Sequence, residues 1–448
     1  MKKLPILLAS VLLASARAAH AQTPAPPPQV AETQAAPAPA SAGVAGEKFN
    51  FRGYLQQVGS GNLDLLAQRT TVGTAQAQNA LARIFPDPTV TAGLLQYDLS
   101  QNGQNPTATV VQLNVPIQIG GQRGARIAYA EANLSATEAE LMDYLRTLRA
   151  NAANGYVDSL HARLILERRK RTLASLSRLV AVNEERLRAG DIGEATVLQS
   201  RVEANPFRAD CIDSEGVVKT ADLTLVQLLG TGAATRMTRA INVEGNLTAA
   251  ADRTFDVAGL IQIANAQRPD LLAAKRRQSA ASRQIDLAKA NRVVDLGVGA
   301  TWQHNLYLGG ASPQTPTNML GGQVTVPIPF SRMYRGELDA AYAQRSLSEA
   351  VSQGTAVRVE IEVRSAVAKY EAAAGRVKLY TGGTIHDADQ VLEKALYNYQ
   401  RGGATLVEVL VAQRTDNDVY LSYYDALADA AHALIAVQQA AGTWDIEL

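Results

Sequence analysis

The sequence predicts a mainly α chain with a small β part, in which long helices form coiled-coil rods and four strands supply a share of a β-barrel. Three observations predict it: a helix, glycine, helix phrase written twice, two pairs of alternating strands, and heptad seams sustained over many turns. "RLRAGDIGEATVLQSR" (186–201) is answered by "NYQRGGATLVEVLVAQR" (398–414), with Gly190 and Gly402 in matching places. "NLDLLAQ" (62–68) is answered by "RPDLLAA" (268–274), and the "VPI" of 115–117 by that of 326–328. Matches that keep their order while their spacing drifts slowly point to two copies of one unit of about 200 residues. The copies are expected at 49–245 and 246–448.

The chain opens with Lys2 and Lys3, an apolar run from Leu4 to Ala16, and "AHA" (19–21) before Gln22. This reads as a secretory signal peptide over 1–21. Residues 22–48, with "PAPPP" and "APAPA", hold too little apolar surface to fold and read as a flexible, polyproline-like linker. Order is expected from near Phe49. No later stretch is apolar for the roughly 18 residues a spanning helix needs, so any membrane crossing must use strands. Cys211 is the one cysteine of 448 residues, which excludes an internal disulfide. It reads as a packed, inert thiol. It stands away from the signal cleavage site, so no N-terminal lipid anchor is expected. A formal net charge of +1 leaves no basic footprint for nucleic acid.

The first strand pair is expected at about 89–99 ("TVTAGLLQYDL") and 108–117 ("ATVVQLNVPI"), joined by the turn-rich "SQNGQNP". Val111, Leu113 and Val115 share one face, with Gln112 and Asn114 on the other. The second pair is expected at about 295–307 and 321–330. There Leu296, Val298, Ala300 and Trp302 alternate with Gly297, Gly299 and Thr301, while Val324, Val326, Ile328 and Phe330 alternate with Thr325 and two prolines. Trp302, Tyr97, Tyr307 and Phe330 fall near the predicted strand ends, as in the aromatic girdle of an outer-membrane barrel. An ordinary sheet with one face on a soluble core reads equally well from the strands alone. Pro116, Pro327 and Pro329 mark strand exits in either case.

A very long helix follows each pair. From Gly124 to Arg188, Leu141, Leu145, Leu148 and Ala152, then Leu173, Leu176, Val180, Asn183 and Leu187, step by three and four. Val363, Val367, Tyr370, Ala374 and Val377 repeat the seam downstream. Such a rod is roughly 100 Å long. "TGG" (381–383) and Pro206 predict local kinks. Alanine-rich stretches such as "ALADAAHALIAVQQAA" let neighbouring rods pack flank to flank.

If these are membrane strands, four cannot close a barrel and an open edge cannot face lipid, so the barrel must be shared between chains. Two chains would give eight strands and a filled interior, three would give twelve and leave a lumen. A homotrimer is therefore the smallest assembly that both closes and conducts.

The chain is similar to the TolC family of outer-membrane efflux proteins over about residues 50–445. The resemblance rests on "LDLLA" and "PDLLA", on "VPIQIGGQRGARIAYAEA" and "VPIPFSRMYRGELDAAYAQ", and on the turns "LRAGDIGEATVLQSRVEA" and "YQRGGATLVEVLVAQRT". "GGQRGARI" and "GDIGEATVLQSRVEA" most resemble the branch that serves heavy-metal pumps of the resistance-nodulation-division class. The resemblance implies a twelve-stranded barrel set in outer-membrane lipid and continued by a helical tunnel across the periplasm. Small molecules or metal cations would pass from an inner-membrane pump of that class through a periplasmic adaptor, or membrane fusion, protein. Many members carry a lipid-bearing cysteine that this chain lacks, which leaves anchoring to the barrel. In the family the turns meet the adaptor's hairpin. Carried over by motif, the docking candidates are Ala189, Gly190, Asp191, Ile192 and Gly193 with Gly402, Gly403, Ala404, Thr405 and Leu406. Asp191, Glu194 and Glu408 are candidates for an acidic periplasmic mouth that favours cations, with plainly solvated helix charges as the alternative.

Enzyme chemistry is not expected, nor a cofactor. His20, His161, His304, His386 and His432 are scattered without metal-ligand spacing. "GTGAAT" (230–235) lacks the preceding strand of a phosphate loop, and no G-x-S-x-G elbow occurs. Two rivals to the efflux channel remain: a channel for type I protein secretion, and a non-pore periplasmic coiled-coil structural protein with its strands in a soluble cap. The strands discriminate the cap, which must cover an apolar face that a barrel turns to lipid.

Overall fold

The computed structural model describes residues 47–96, 105–230, 241–308, 317–328, 330 and 335–446. The expected signal peptide, nearly all of the linker, Tyr97, Pro329 and most of "GTGAAT" lie outside the described residues.

In chain order the elements are β1 (Glu47–Asn50), α1 (Phe51–Gly61), α2 (Leu63–Ala82), β2 (Thr89–Gln96), β3 (Asn105–Ile117), α3 (Gln122–Arg188) and α4 (Glu194–Leu229). There follow β4 (Ile241–Glu244), α5 (Val257–Gln267), α6 (Pro269–Ala290), β5 (Leu296–Leu308), β6 (Thr317–Thr325), α7 (Gly336–Leu379), α8 (Ile385–Gln400) and α9 (Leu406–Ala441). The chain is thus mainly helical with a small sheet part. β1 and β4 form a parallel pair, and β2, β3, β5 and β6 form one antiparallel sheet in that order.

α3 runs unbroken for 67 residues, about 100 Å at 1.5 Å per residue. It carries no proline, and near its middle Ala150, Ala152, Ala153, Gly155 and Val157 are buried, so the neighbouring helices approach closely there. The main core gathers at this level. Tyr156 packs against Tyr54 and Phe51 with ring centroids 5.5 and 5.4 Å away. Its hydroxyl lies 2.7 Å from the carbonyl oxygens of both Phe49 and Glu244, stapling β1 and β4 to the rod.

The doubled "DLLA" motifs join helix ends. At the first, the Asn62 side chain donates to Leu228 O at the end of α4 (2.9 Å) and accepts from Leu65 N at the start of α2 (2.9 Å). Gly230, with φ 67°, packs so tightly there that a Cβ would lie 2.3 Å from Gly61 O. At the second, buried Arg268 donates to Ala440 O (3.0 Å) at the end of α9, clamps Asp270 (2.9 and 2.8 Å) and reaches Glu362. α2 therefore begins where α4 stops, and α6 where α9 stops.

Several boundaries differ from the sequence expectation. β6 spans Thr317–Thr325 rather than 321–330, because Pro327 offers no N–H to the ladder. Gly321 and Gly322 pair with Thr301 and Ala300 inside the sheet. Trp302 sits mid-strand in β5 and not near its end. β1 begins at Glu47, within the segment assigned to the linker. α4 stays helical through Pro206, whereas "TGG" does interrupt its rod with a π-helical turn in which Gly383 has φ 148°.

Candidate functional site

Both glycine turns are built alike. After α3, Gly190 adopts φ 82°, its N–H reaches Leu187 O (3.0 Å) and that of Asp191 reaches Arg186 O (2.8 Å). After α8, Gly402 adopts φ 76°, its N–H reaches Tyr399 O (3.2 Å) and that of Gly403 reaches Asn398 O (2.8 Å). Each is a Schellman closure, which needs a left-handed residue that glycine supplies without strain. The following helices start differently. α9 has a capping box: Glu408 N–H donates to Thr405 Oγ1 (3.3 Å) and Thr405 N–H to Glu408 Oε2 (3.0 Å). α4 is preceded by Gly193 at its N-cap, which makes no side-chain cap.

The two turns lie side by side. One apolar cluster joins Leu176 and Leu179 of α3, Phe207 of α4, Tyr399 of α8 and Val409 and Leu410 of α9. Tyr399 donates its hydroxyl hydrogen to Asn183 within it (2.8 Å), and the Arg186 guanidinium stands 5.1 Å from the Tyr399 ring centroid. Of the predicted docking residues, Ala189, Gly190, Asp191, Gly193, Gly402, Gly403 and Thr405 are exposed, and Ile192 and Ala404 are half-buried. Leu406 is not on offer: it is 6% exposed and belongs to the cluster. Asp191, Glu194 and Glu408 are exposed, with the Glu408 carboxylate engaged in its cap.

Further up the rods, polar groups bridge the helices. The Arg168 guanidinium contacts the Asp416 carboxylate and lies 3.8 Å from the Tyr420 ring centroid. Burial pushes the Asp416 carboxyl up, with Arg168 opposing. Tyr420 donates to Asp389 (3.0 Å), and burial together with that carboxylate pushes its hydroxyl up to about 12. No sequence signal pairs residues so far apart, so these partners emerge only from the fold. Cys211 is buried, and burial pushes its thiol up. His161 and His432 each meet one aspartate, Asp425 at 2.8 Å and Asp158 at 2.9 Å. No cluster of three metal-ligating side chains occurs among the described residues.

At the opposite end of α3, the four-stranded sheet has two unlike faces. On one, Val115, Val298 and Val324 stand in a row, as do Leu113, Ala300 and Gly322 with Val90, then Val111, Trp302 and Leu320 with Ala92. On the other stand Asn114, Gly299 and Gln323 with Thr89, then Gln112, Thr301 and Gly321 with Thr91. The apolar face is uncovered by the described residues: Leu320 is 83% exposed, Val90 69% and Val324 68%. β2 and β6 each have one ladder partner among the described residues. No described helix is long and apolar enough to cross a membrane.

Paired rods that hold exposed turns at one end and an uncovered apolar sheet at the other define a membrane conduit. The chain belongs to the outer membrane efflux protein family, whose profile matches residues 54–231 and 260–443. The family is one of channels, not of enzymes. The cobalt-zinc-cadmium resistance protein CzcC of Cupriavidus metallidurans is 22% identical over 387 residues, covering 85% of this chain and 87% of that protein. The outer membrane efflux protein BepC of Brucella suis is 25% identical over 407 residues, covering 87% and 84%. The crystal structure of the outer membrane protein VceC from Vibrio cholerae matches with a TM-score of 0.69 at 20% identity, covering 88% of this chain and 96% of that one.

Proposed function

We propose that three copies of this chain, each built of two repeats (49–245 and 246–448), close a twelve-stranded barrel in the outer membrane and continue it as a helical tunnel through the periplasm. The tips at Gly190 and Gly402 dock a periplasmic adaptor that links the tunnel to an inner-membrane pump of the resistance-nodulation-division class. One observation carries the reading: an exposed apolar sheet face backed by a Thr, Gln, Asn and Gly face, with an edge strand at each side that has one ladder partner among the described residues. A lipid-facing band with a polar lumen has this alternation, and only further strands can satisfy the edges in lipid. A soluble cap would have to cover Leu320 and Val324, and no described element does.

The cargo is small molecules or metal cations, and the likeness to CzcC favours divalent metals. Growth of a deletion strain, with and without the gene restored, tests this across divalent metals, dyes, antibiotics and solvents. Hypersensitivity confined to cobalt, zinc, cadmium, nickel or copper supports metal efflux. Sensitivity confined to amphiphilic drugs moves the cargo to drugs, and no change favours protein secretion or a redundant channel.

A further inference from the structure

The junction between the rods and the sheet carries arginines without acidic partners beside exposed apolar side chains. Arg123 donates through Nε to Arg83 O (3.0 Å) and covers the Phe85 ring at 4.3 Å. Arg126 donates to Ala82 O and Ile84 O (3.0 Å each). Neither meets a carboxylate among the described residues, nor does Arg292 or Arg335, both exposed. Phe85 is 69% exposed and Ile84 56%, and with Leu81, Arg126 and Tyr129 they line an open cavity of about 490 Å³. The arrangement recurs along the chain. "ARIFPD" (82–87) parallels "NRVVD" (291–295), and "IGGQRG" (119–124) parallels "FSRMYRG" (330–336), so Arg123 answers to Arg335 and Arg83, itself paired with Glu131 at 2.8 Å, to Arg292. Ile119 and Phe330, which precede the second arginine of each set, are both largely exposed.

Connectivity puts most of these within a few residues of a strand, Phe85 just before β2, Ile119 and Arg123 just after β3, Arg292 just before β5 and Phe330 just after β6, while Arg335 caps the start of α7. We propose that this junction is a collar for anionic phospholipid. The guanidiniums take the headgroup phosphates of the leaflet that faces the rods, and the apolar side chains enter the acyl boundary. The inference rests on the barrel reading above. Guanidinium suits phosphate through paired N–H donors, and an unpaired Arg at a membrane surface draws anionic lipid at about 1 kcal/mol each. The apolar neighbours and the adjoining lipid-facing band select a lipid phosphate over a free one.

Full-length protein is reconstituted in nanodiscs of phosphatidylethanolamine with phosphatidylglycerol, and retained lipid is counted by native mass spectrometry. Arg292→Gln/Arg335→Gln changes two side chains without an acidic partner among the described residues, and retained phosphatidylglycerol is expected to fall about thirtyfold. Arg292→Lys/Arg335→Lys restores most of it. Quenching of Trp302 by lipid brominated in its acyl chain reports insertion independently. Retention unchanged in the Gln pair, with Trp302 quenched as in the unaltered protein, overturns the collar. Unquenched Trp302 in the unaltered protein overturns the barrel reading and the collar with it.

Discussion

The Tyr399 hydroxyl donates to Asn183 Oδ1 at 2.8 Å, joining two buried residues 216 positions apart. This contact ties the end of α3 to the end of α8, the two helices that lead into the glycine turns. Tyr399→Phe leaves the Asn183 amide oxygen buried without its donor, costing about 1–3 kcal/mol. A lowered unfolding temperature is expected and, with the adaptor docked at the turns as proposed, weaker cross-linking to it at both.

Left-handed glycines make a second point. Gly190→Ala and Gly402→Ala meet open space, so only the positive φ opposes them. Each is expected to cost about 1–2 kcal/mol, while Asn in either place costs less. Thermal unfolding of the four single variants checks the order.

Glu408 separates charge from capping. Gln at the third helical position sustains the same box, so Glu408→Gln should leave the unfolding temperature unchanged. If Asp191, Glu194 and Glu408 ring the periplasmic mouth, the cation preference of the variant in planar bilayers falls; an unchanged preference removes Glu408 from the ring.

The clamp at Arg268 predicts an acid limb. Burial would raise the Asp270 carboxyl, but hydrogen bonds and charge from Arg268, with Arg146 nearby, hold it below the usual carboxylate range. A depressed carboxyl contributes stability above its unfolded value of about 3.9, and loses it as pH falls through the lower folded value. Asp270→Asn removes this contribution at neutral pH, and its unfolding temperature should vary less than that of the unaltered protein below about pH 4.

The two sheet faces answer differently to charge. Leu320→Arg on the apolar face should cost about 2–4 kcal/mol of assembly in lipid, whereas a lumen charge chiefly tunes selectivity. Gln323→Arg, on the opposite face, should still reach the outer membrane fraction. Equal yields of the two variants in that fraction would contradict the assignment of faces.

Much of this was legible beforehand, because periodicity reports burial. The seam Val363, Val367, Tyr370, Ala374 and Val377 is buried at every position. The turns at Gly190 and Gly402 were legible because a left-handed cap demands glycine. What escaped was long-range pairing: Asn183 stood in a predicted seam, but nothing local names Tyr399 as its partner. Leu406 resembled a docking residue by its place in the motif, yet at the first position of α9 it turns into the cluster. β6 was set too late because its alternation continues past Thr325, while the proline that ends the ladder leaves that pattern intact.

The central claim is that strands of three chains share one barrel, and its most direct test is the mass of the detergent-extracted particle from outer membranes. The account predicts three chains, each of 47.7 kDa less the mass of the signal peptide, in an unheated, heat-modifiable species that conducts in planar bilayers. A monodisperse single chain in the soluble periplasmic fraction would contradict it.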